Sequence, residues 1–220
     1  MIDLLRYPPT IVALVLGLLA AVPIAARWLR VAQREHYVPW WTTRMAWLWV
    51  TREPVTAALL IVAITATTLA VVGGVPPLGP SWAIGAIIAL ALAPIGLPVR
   101  GRSAKLALTD RLKRLMVCWI VVHLAATVVL VAVLGPRAAA APALVLLLSA
   151  PLTDLALAIM APIERAGSKK FVVAAQKRLA QVRPRVVAIT GSYGKTSTKN
   201  YVAHLLSATY ATVASPASFN

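Results

Sequence analysis

"VVAITGSYGKTSTKNYVAHLL", residues 186–206, is set apart from everything that precedes it. Val186–Thr190 is β-branched and mostly apolar, which reads as a short buried parallel strand. Gly191, Ser192, Tyr193 and Gly194 follow, then Lys195, and the pattern predicts a helix from about Thr196 to Leu206. This order suits a phosphate group. Glycines let backbone N–H groups curl around phosphate oxygens, and a helix N-terminus adds partial positive charge. The amides of Ser192, Tyr193 and Gly194 would line the loop, Lys195 is placed to reach β- and γ-phosphates, and the Thr196 hydroxyl is a candidate Mg²⁺ ligand. Ser197 and Thr198 open the helix and can add a phosphate or metal contact. The common phosphate-loop spacing, G-x-x-x-x-G-K-[ST], asks for glycine at position 189, where this chain has Ile189. The shorter pattern G-x-x-G-K-[ST], met here as G-x-x-G-K-T, would arise by composition in about one chain of this length in a hundred.

Upstream the chain is of another character. It has 220 residues, 60% of them hydrophobic, a mean hydropathy of +0.81 and a net charge of +16. A soluble domain is about 45–50% apolar, so the excess, arranged in blocks, indicates an integral membrane protein. Five stretches are expected to cross: about 10–26, 54–72, 81–99, 116–134 and 138–161, each near the ~20 residues a spanning helix requires. Five basic residues separate the first two, six separate the third and fourth, and nine follow the fifth, whereas the opposite side holds only Arg6 and Arg137. The positive-inside rule then places the N-terminus outside and the C-terminal tail in the cytoplasm, as an odd number of crossings requires. Trp28, Trp47, Trp49, Trp82 and Trp119 lie at or near span ends, where indole rings favour the interface. Topology and contact with anionic lipid account for the basic residues, so membrane lipids are expected as partners and nucleic acid is not. The one cysteine, Cys118, lies in an apolar run and reads as a small buried hydrophobe. "MIDLLRYPPT" lacks a basic start and a small-residue cleavage site, so no removable signal peptide is expected.

Asp154 and His123 are the polar exceptions inside the expected spans. A carboxylate facing lipid costs at least ~2.5 kcal/mol, so Asp154 should face the bundle or a wet crevice. Either it makes a structural hydrogen bond to another helix, or it meets a polar group of a membrane substrate. "RVAQREHYVPWW", residues 30–41, reads either as a headgroup site or as an interfacial amphipathic helix. Residues 164–185 carry Phe171, Ala175, Leu179 and Val182 at helical spacing with basic residues between them. They predict a basic linker helix that ends before Pro184.

The stretch "TGSYGKTSTKNYVAHLL" resembles the ATP loop of the Mur ligases, the ATP-dependent amide-forming ligases of peptidoglycan synthesis, and is most similar to the type that adds D-alanyl-D-alanine. "TVASPASFN" is similar to the segment that follows in that family, a strand and a small-residue turn beside the muramoyl substrate, with Asn220 and Ser218 matching that turn. The likeness covers residues 186–220, and "APIERAGSKKFVVAAQKRL" resembles the joint of Mur-ligase-like proteins with membrane helices, more weakly.

The resemblance implies an α-helical membrane bundle (1–163), a basic linker helix (164–185) and the start of an α/β phosphate-loop domain of the Mur central type (186–220). It implies ATP and Mg²⁺ as cofactors, with Gly191, Ser192, Tyr193, Gly194, Lys195, Thr196 and Ser197 at the nucleotide, Thr196 at the metal and Lys195 catalytic. The substrates would be a muramoyl-peptide or lipid-linked carboxylate and an amino acid or dipeptide, joined through an acyl phosphate at a bacterial inner membrane. The family's central domain continues further and precedes an amine-binding domain, so the chain is expected to be the front part of a longer enzyme, inactive alone. Two other classes fit the same features: a transporter powered or gated by a cytoplasmic phosphate loop, and a membrane scaffold that binds nucleotide without turnover.

Overall fold

The long apolar runs of this chain carry no polar periodicity, and only a helix satisfies every backbone group of such a run without help from water. The computed structural model describes residues 8–73, 78–97 and 106–215. Its elements are α1 (Pro8–Arg34), α2 (Trp41–Arg52), α3 (Pro54–Val72), α4 (Leu78–Leu92), α5 (Asp110–Leu134), a 3₁₀ turn (Gly135–Ala140), α6 (Ala141–Leu147), α7 (Ser149–Val182) and α8 (Lys195–Ser207). They form two units, Met1–Ser168 and Lys169–Asn220, and α7 supplies residues to both.

The first unit packs small residues inward and large ones outward. On α1, Ala13, Gly17, Ala20, Ile24 and Trp28 recur three or four apart and are buried, while Leu18, Leu19 and Val22 are exposed. On α3, Ala63, Ala66 and Ala70 are buried and Ile61, Val62 and Val72 are exposed. On α4, Ala83, Ala86 and Ala89 join the same core. In water this arrangement would waste apolar surface, whereas in hydrocarbon small residues let helices approach closely and large ones meet lipid. Gly17 marks the tightest approach, since a Cβ there would collide with the ring of Pro142 at the start of α6.

Three helical segments are long and apolar enough to cross a membrane: α1, α3, and α5 continued through the 3₁₀ turn and α6 (Asp110–Leu147). The first, second and fourth expected crossings fall within them. The third falls on α4, whose 15 residues extend about 22 Å, short of a ~30 Å hydrocarbon core. The fifth is divided: the 3₁₀ turn and α6 take its first part, and α7 begins at Ser149. The expected linker helix is not a separate element either. α7 runs through Pro162 to Val182 and stops two residues before Pro184, with Arg183 at φ 44°.

Short helices leave end groups without intrahelical partners, and this unit meets two such ends with charged side chains from other helices. Asp154 of α7, 1% exposed, accepts from the backbone N–H groups of Thr42 (3.2 Å) and Thr43 (2.8 Å) and from the Thr43 hydroxyl. These are orphan donors of the first turn of α2, whose N-cap residue Trp40 makes no side-chain cap. Arg27 of α1 donates through one guanidinium nitrogen to the carbonyls of Ala91 (2.7 Å) and Ala93 (2.8 Å), at the C-terminus of α4. Each charge has the sign that the helix dipole favours at that end. Two indoles fix α7 in the same region. Trp28 donates to the Ser149 hydroxyl (3.1 Å), and Trp119 donates to the Thr153 hydroxyl (2.9 Å), which itself donates to the Ser149 carbonyl.

The second unit departs from expectation. The α/β fold class is not borne out: among the described residues there is no strand, and Val186–Thr190 belongs to an irregular segment. Val186 is 80% exposed and Val187 61%, where a buried parallel strand requires both covered. A β-branched run expresses a preference for a pleated surface, and no partner strand is present among the described residues to complete one.

The Asp154 cap has a measurable consequence. Asp154→Leu should destabilise the protein in detergent micelles by roughly 1–3 kcal/mol, because two first-turn N–H groups, that of Thr42 buried, lose their acceptor. Asp154→Asn, which keeps an acceptor oxygen, should restore most of that loss in thermal unfolding followed by circular dichroism.

Candidate functional site

The glycine loop lies in the second unit, immediately before α8. Gly194 is the N-cap residue, with φ 75° and ψ −4°, a left-handed conformation that side chains other than glycine adopt at a cost. Gly191 has φ 154°, and a Cβ there would stand 3.4 Å from the Tyr193 carbonyl oxygen. Both glycines therefore stand where the backbone requires one. The loop folds so that Lys195, the first residue of α8, runs its stem back beside Gly191, with Cγ 4.0 Å from where a Gly191 Cβ would sit. Thr198 Oγ1 lies at the same distance from the corresponding position on Gly194, and the Thr198 N–H donates to the Gly194 carbonyl at 2.9 Å to close the first turn.

No side chain caps α8. A helix start with a glycine N-cap and no capping side chain presents its first-turn amides to whatever anion is at hand. The structure thus brings Gly191, Ser192, Tyr193, Gly194, Lys195, Thr196 and Ser197 together in one turn and the start of one helix. Tyr193 is 96% exposed and Lys195 is half-buried. Ser218 and Asn220 lie outside the described residues. Among the described residues no cluster of three or more His, Cys, Asp or Glu side chains could hold a metal ion on its own. A Mg²⁺ carried on nucleotide phosphates needs no such cage, and the Thr196 hydroxyl in the first turn of α8 is of the right chemistry to complete its shell.

One contact here was not legible in the sequence. Lys199, one turn beyond Lys195, donates from Nζ to the Ser215 carbonyl at 2.6 Å and fastens the segment after α8 to the helix that starts at the loop. Its spacing from Lys195 signals a shared helix face, but no sequence pattern names a backbone carbonyl sixteen residues away.

Asp154 and His123 both make contacts inside the first unit, and His123 Nε2 is left buried without a hydrogen-bond partner. Asp154 is consumed by the cap on α2. His123 is buried, stacks on Trp119 with ring centroids 3.6 Å apart, and donates from Nδ1 to the Trp119 carbonyl at 2.9 Å. Residues 30–41 finish α1 and turn through His36, Tyr37 and Trp40, all at positive φ, into α2. Glu164 on α7 receives Arg114 Nε at 2.8 Å and Arg111 Nε at 3.7 Å, and Arg111 also lies 4.2 Å above the Tyr37 ring. The hydrogen bond from Arg114 holds the Glu164 carboxyl below the usual carboxylate range.

No known protein family matches the chain, and neither a curated protein nor a solved structure does.

Two measurements follow from these geometries. Gly194→Val forces a β-branched residue into the left-handed region at about 1–2 kcal/mol, so amide exchange in the first turn of α8 should quicken roughly tenfold, while Ser192→Ala should leave it unchanged. Glu164 contributes stability at pH above the ordinary carboxylate value of ~4.3 and loses it as pH falls through its lower folded-state value. Thermal unfolding between neutral and strongly acid pH should therefore show a steeper acid loss for the wild type than for Glu164→Gln.

Proposed function

We propose that this chain carries the nucleotide loop of a membrane-anchored, ATP-dependent carboxylate–amine ligase of the Mur type. The observation that carries the reading is the conformation of the loop: positive φ at Gly191 and Gly194, the Lys195 stem folded back beside Gly191, and a helix start without a side-chain cap. Those features answer the needs of a bound triphosphate one by one. Amides of the loop and of the first turn of α8 bind phosphate oxygens, Lys195 sets a positive charge against the β- and γ-phosphates, and the Thr196 hydroxyl ligates Mg²⁺. The metal would supply charge neutralisation on the phosphates.

The reaction assigned to the loop is phosphoryl transfer from ATP to a substrate carboxylate. A carboxylate oxygen forms a bond to the γ-phosphorus, the bond to the bridging oxygen breaks, and ADP leaves. An amine then attacks the acyl phosphate, displacing phosphate and leaving an amide. In phosphoryl transfer the protein acts mainly by positioning and by stabilising charge, and a lysine beside oriented backbone amides suits that task. The carboxylate substrate is a muramoyl-peptide or lipid-linked acid, and the amine is an amino acid or dipeptide, in precursor synthesis for the cell wall. The helices that can cross a bilayer favour a substrate met at the membrane. The distribution of Lys and Arg supports a reading with the loop on the cytoplasmic side and the N-terminus outside.

Lys195→Ala should abolish ATP hydrolysis and ligation in the full-length protein while membrane insertion and helical content remain as in the wild type. Turnover that survives the substitution would remove the assignment. A phosphatase reporter fused ahead of residue 8 should be active, and one fused after residue 207 inactive; the reverse pattern would separate the loop from cytoplasmic ATP.

A further inference from the structure

The first unit contains a groove that neither its packing nor the proposed reaction uses. Its volume is about 260 Å³, and its wall is almost wholly apolar. α2 contributes Thr43, Ala46, Trp47 and Val50, which share one helix face, and α7 contributes Ser149 and Ala150. Most of the few polar side chains in the wall are already engaged. Thr43 donates to Asp154, the Trp28 indole donates to Ser149, and the Thr56 hydroxyl accepts from the Ile95 N–H. Apart from the exposed indole N–H of Trp47 the wall offers a ligand mostly apolar surface, so the body of the occupant is hydrocarbon.

Two charges touch the wall from behind: Asp154, whose carboxylate is taken up by Thr42 and Thr43, and Arg27. Arg27 adjoins Trp28 and holds the carbonyl of Ala93, and both of those residues line the wall. The guanidinium is partly buried, gives one nitrogen to the α4 carbonyls, has no ion pair among the described residues, and leaves Nε buried without a hydrogen-bond partner. A partly buried cation that lacks a counter-charge is costly unless an anion reaches it. Arg44 and Arg52 lie on α2, which forms one side of the groove.

We propose that this groove is a lipid site: it takes one chain of an anionic, phosphate-headed membrane lipid, with the phosphate set against Arg27. Hydrocarbon fills the space between α2 and the spans, and the headgroup supplies the counter-charge that the protein does not. A zwitterionic lipid fills the groove equally well but brings its own cation to Arg27, so the site selects by charge. The inference does not depend on the nucleotide loop.

The test uses the full-length protein in phosphatidylcholine vesicles doped with a minor fraction of either phosphatidylglycerol or phosphatidylcholine brominated on its chains. Trp47 lines the groove, and its emission is obtained as the difference between wild type and Trp47→Phe. The expected result is that brominated phosphatidylglycerol quenches Trp47 at about one-fifth the mole fraction that brominated phosphatidylcholine needs, the preference that one basic residue near the surface confers. Arg27→Gln should abolish the preference and leave quenching itself in place. Ala46→Leu, which fills the groove without touching the cation, should reduce quenching by both lipids, and Ala150→Leu gives a second filler if the first does not fold. Equal quenching by the two lipids in the wild type would overturn the proposal, as would a preference that persists unchanged in the filled variants.

Discussion

A backbone group inside a bilayer has no water to turn to, and in this protein that constraint decides how the first unit is assembled. Long helices meet it by themselves. Short ones do not, because each end leaves several donors or acceptors without an intrahelical partner. α2 and α4 are short helices, and each has an end closed by a charge from a neighbour. Asp154 accepts from the first turn of α2, and Arg27 donates at the last turn of α4. Two charged residues on longer helices thus hold the ends of shorter ones. The same contacts tie α7 to α2 and α1 to α4, so capping and tertiary packing are one interaction here.

Around those caps the packing follows membrane rules. Alanines and Gly17 face inward, branched aliphatics face outward, and the bundle is held by close approach rather than by a large buried side-chain core. Such packing leaves gaps where a bulky residue would sit in a soluble protein. One of them is the groove under α2, where Asp154 is held by the amides of α2 and Arg27 has no ion pair among the described residues. The second unit is governed by different physics. It buries little, and its organisation is local: two glycines at positive φ, a lysine folded back over the loop, and Lys199 holding the segment that follows α8. A loop of that kind is shaped by backbone conformation alone, so it can be set up without the sheet that the apolar run before it led us to expect.

How far each feature was legible varies with its range. Hydropathy located three of the expected crossings within helices long enough to span, because crossing depends on length and composition in one segment. It also drew single crossings at 81–99 and 138–161, where α4 is short and a 3₁₀ turn with α6 precedes α7. Gly135 and Pro136 stood in the sequence as punctuation, but both long apolar helices and broken ones have the same composition. The helix of residues 164–182 was legible from its spacing, and its stop from Pro184; its continuity with the preceding span was not, since Pro162 invites a break. The strand at Val186–Thr190 was misread because β-branched residues state a preference that only a neighbouring strand can fulfil.

What the sequence determined by itself is what single segments decide: which stretches prefer hydrocarbon, where positive charge gathers, and where glycines and a lysine make a turn able to hold phosphate. What only the tertiary structure decided is pairing. Nothing in the run around Asp154 says that its partners are the amides of Thr42 and Thr43, or that Arg27 faces the end of α4 and leaves a nitrogen bare beside a groove. The physical reason is that hydropathy and turn propensity are sums over neighbours in the chain, whereas a cap, a cavity and an unmet charge exist only between segments brought together from far apart in it.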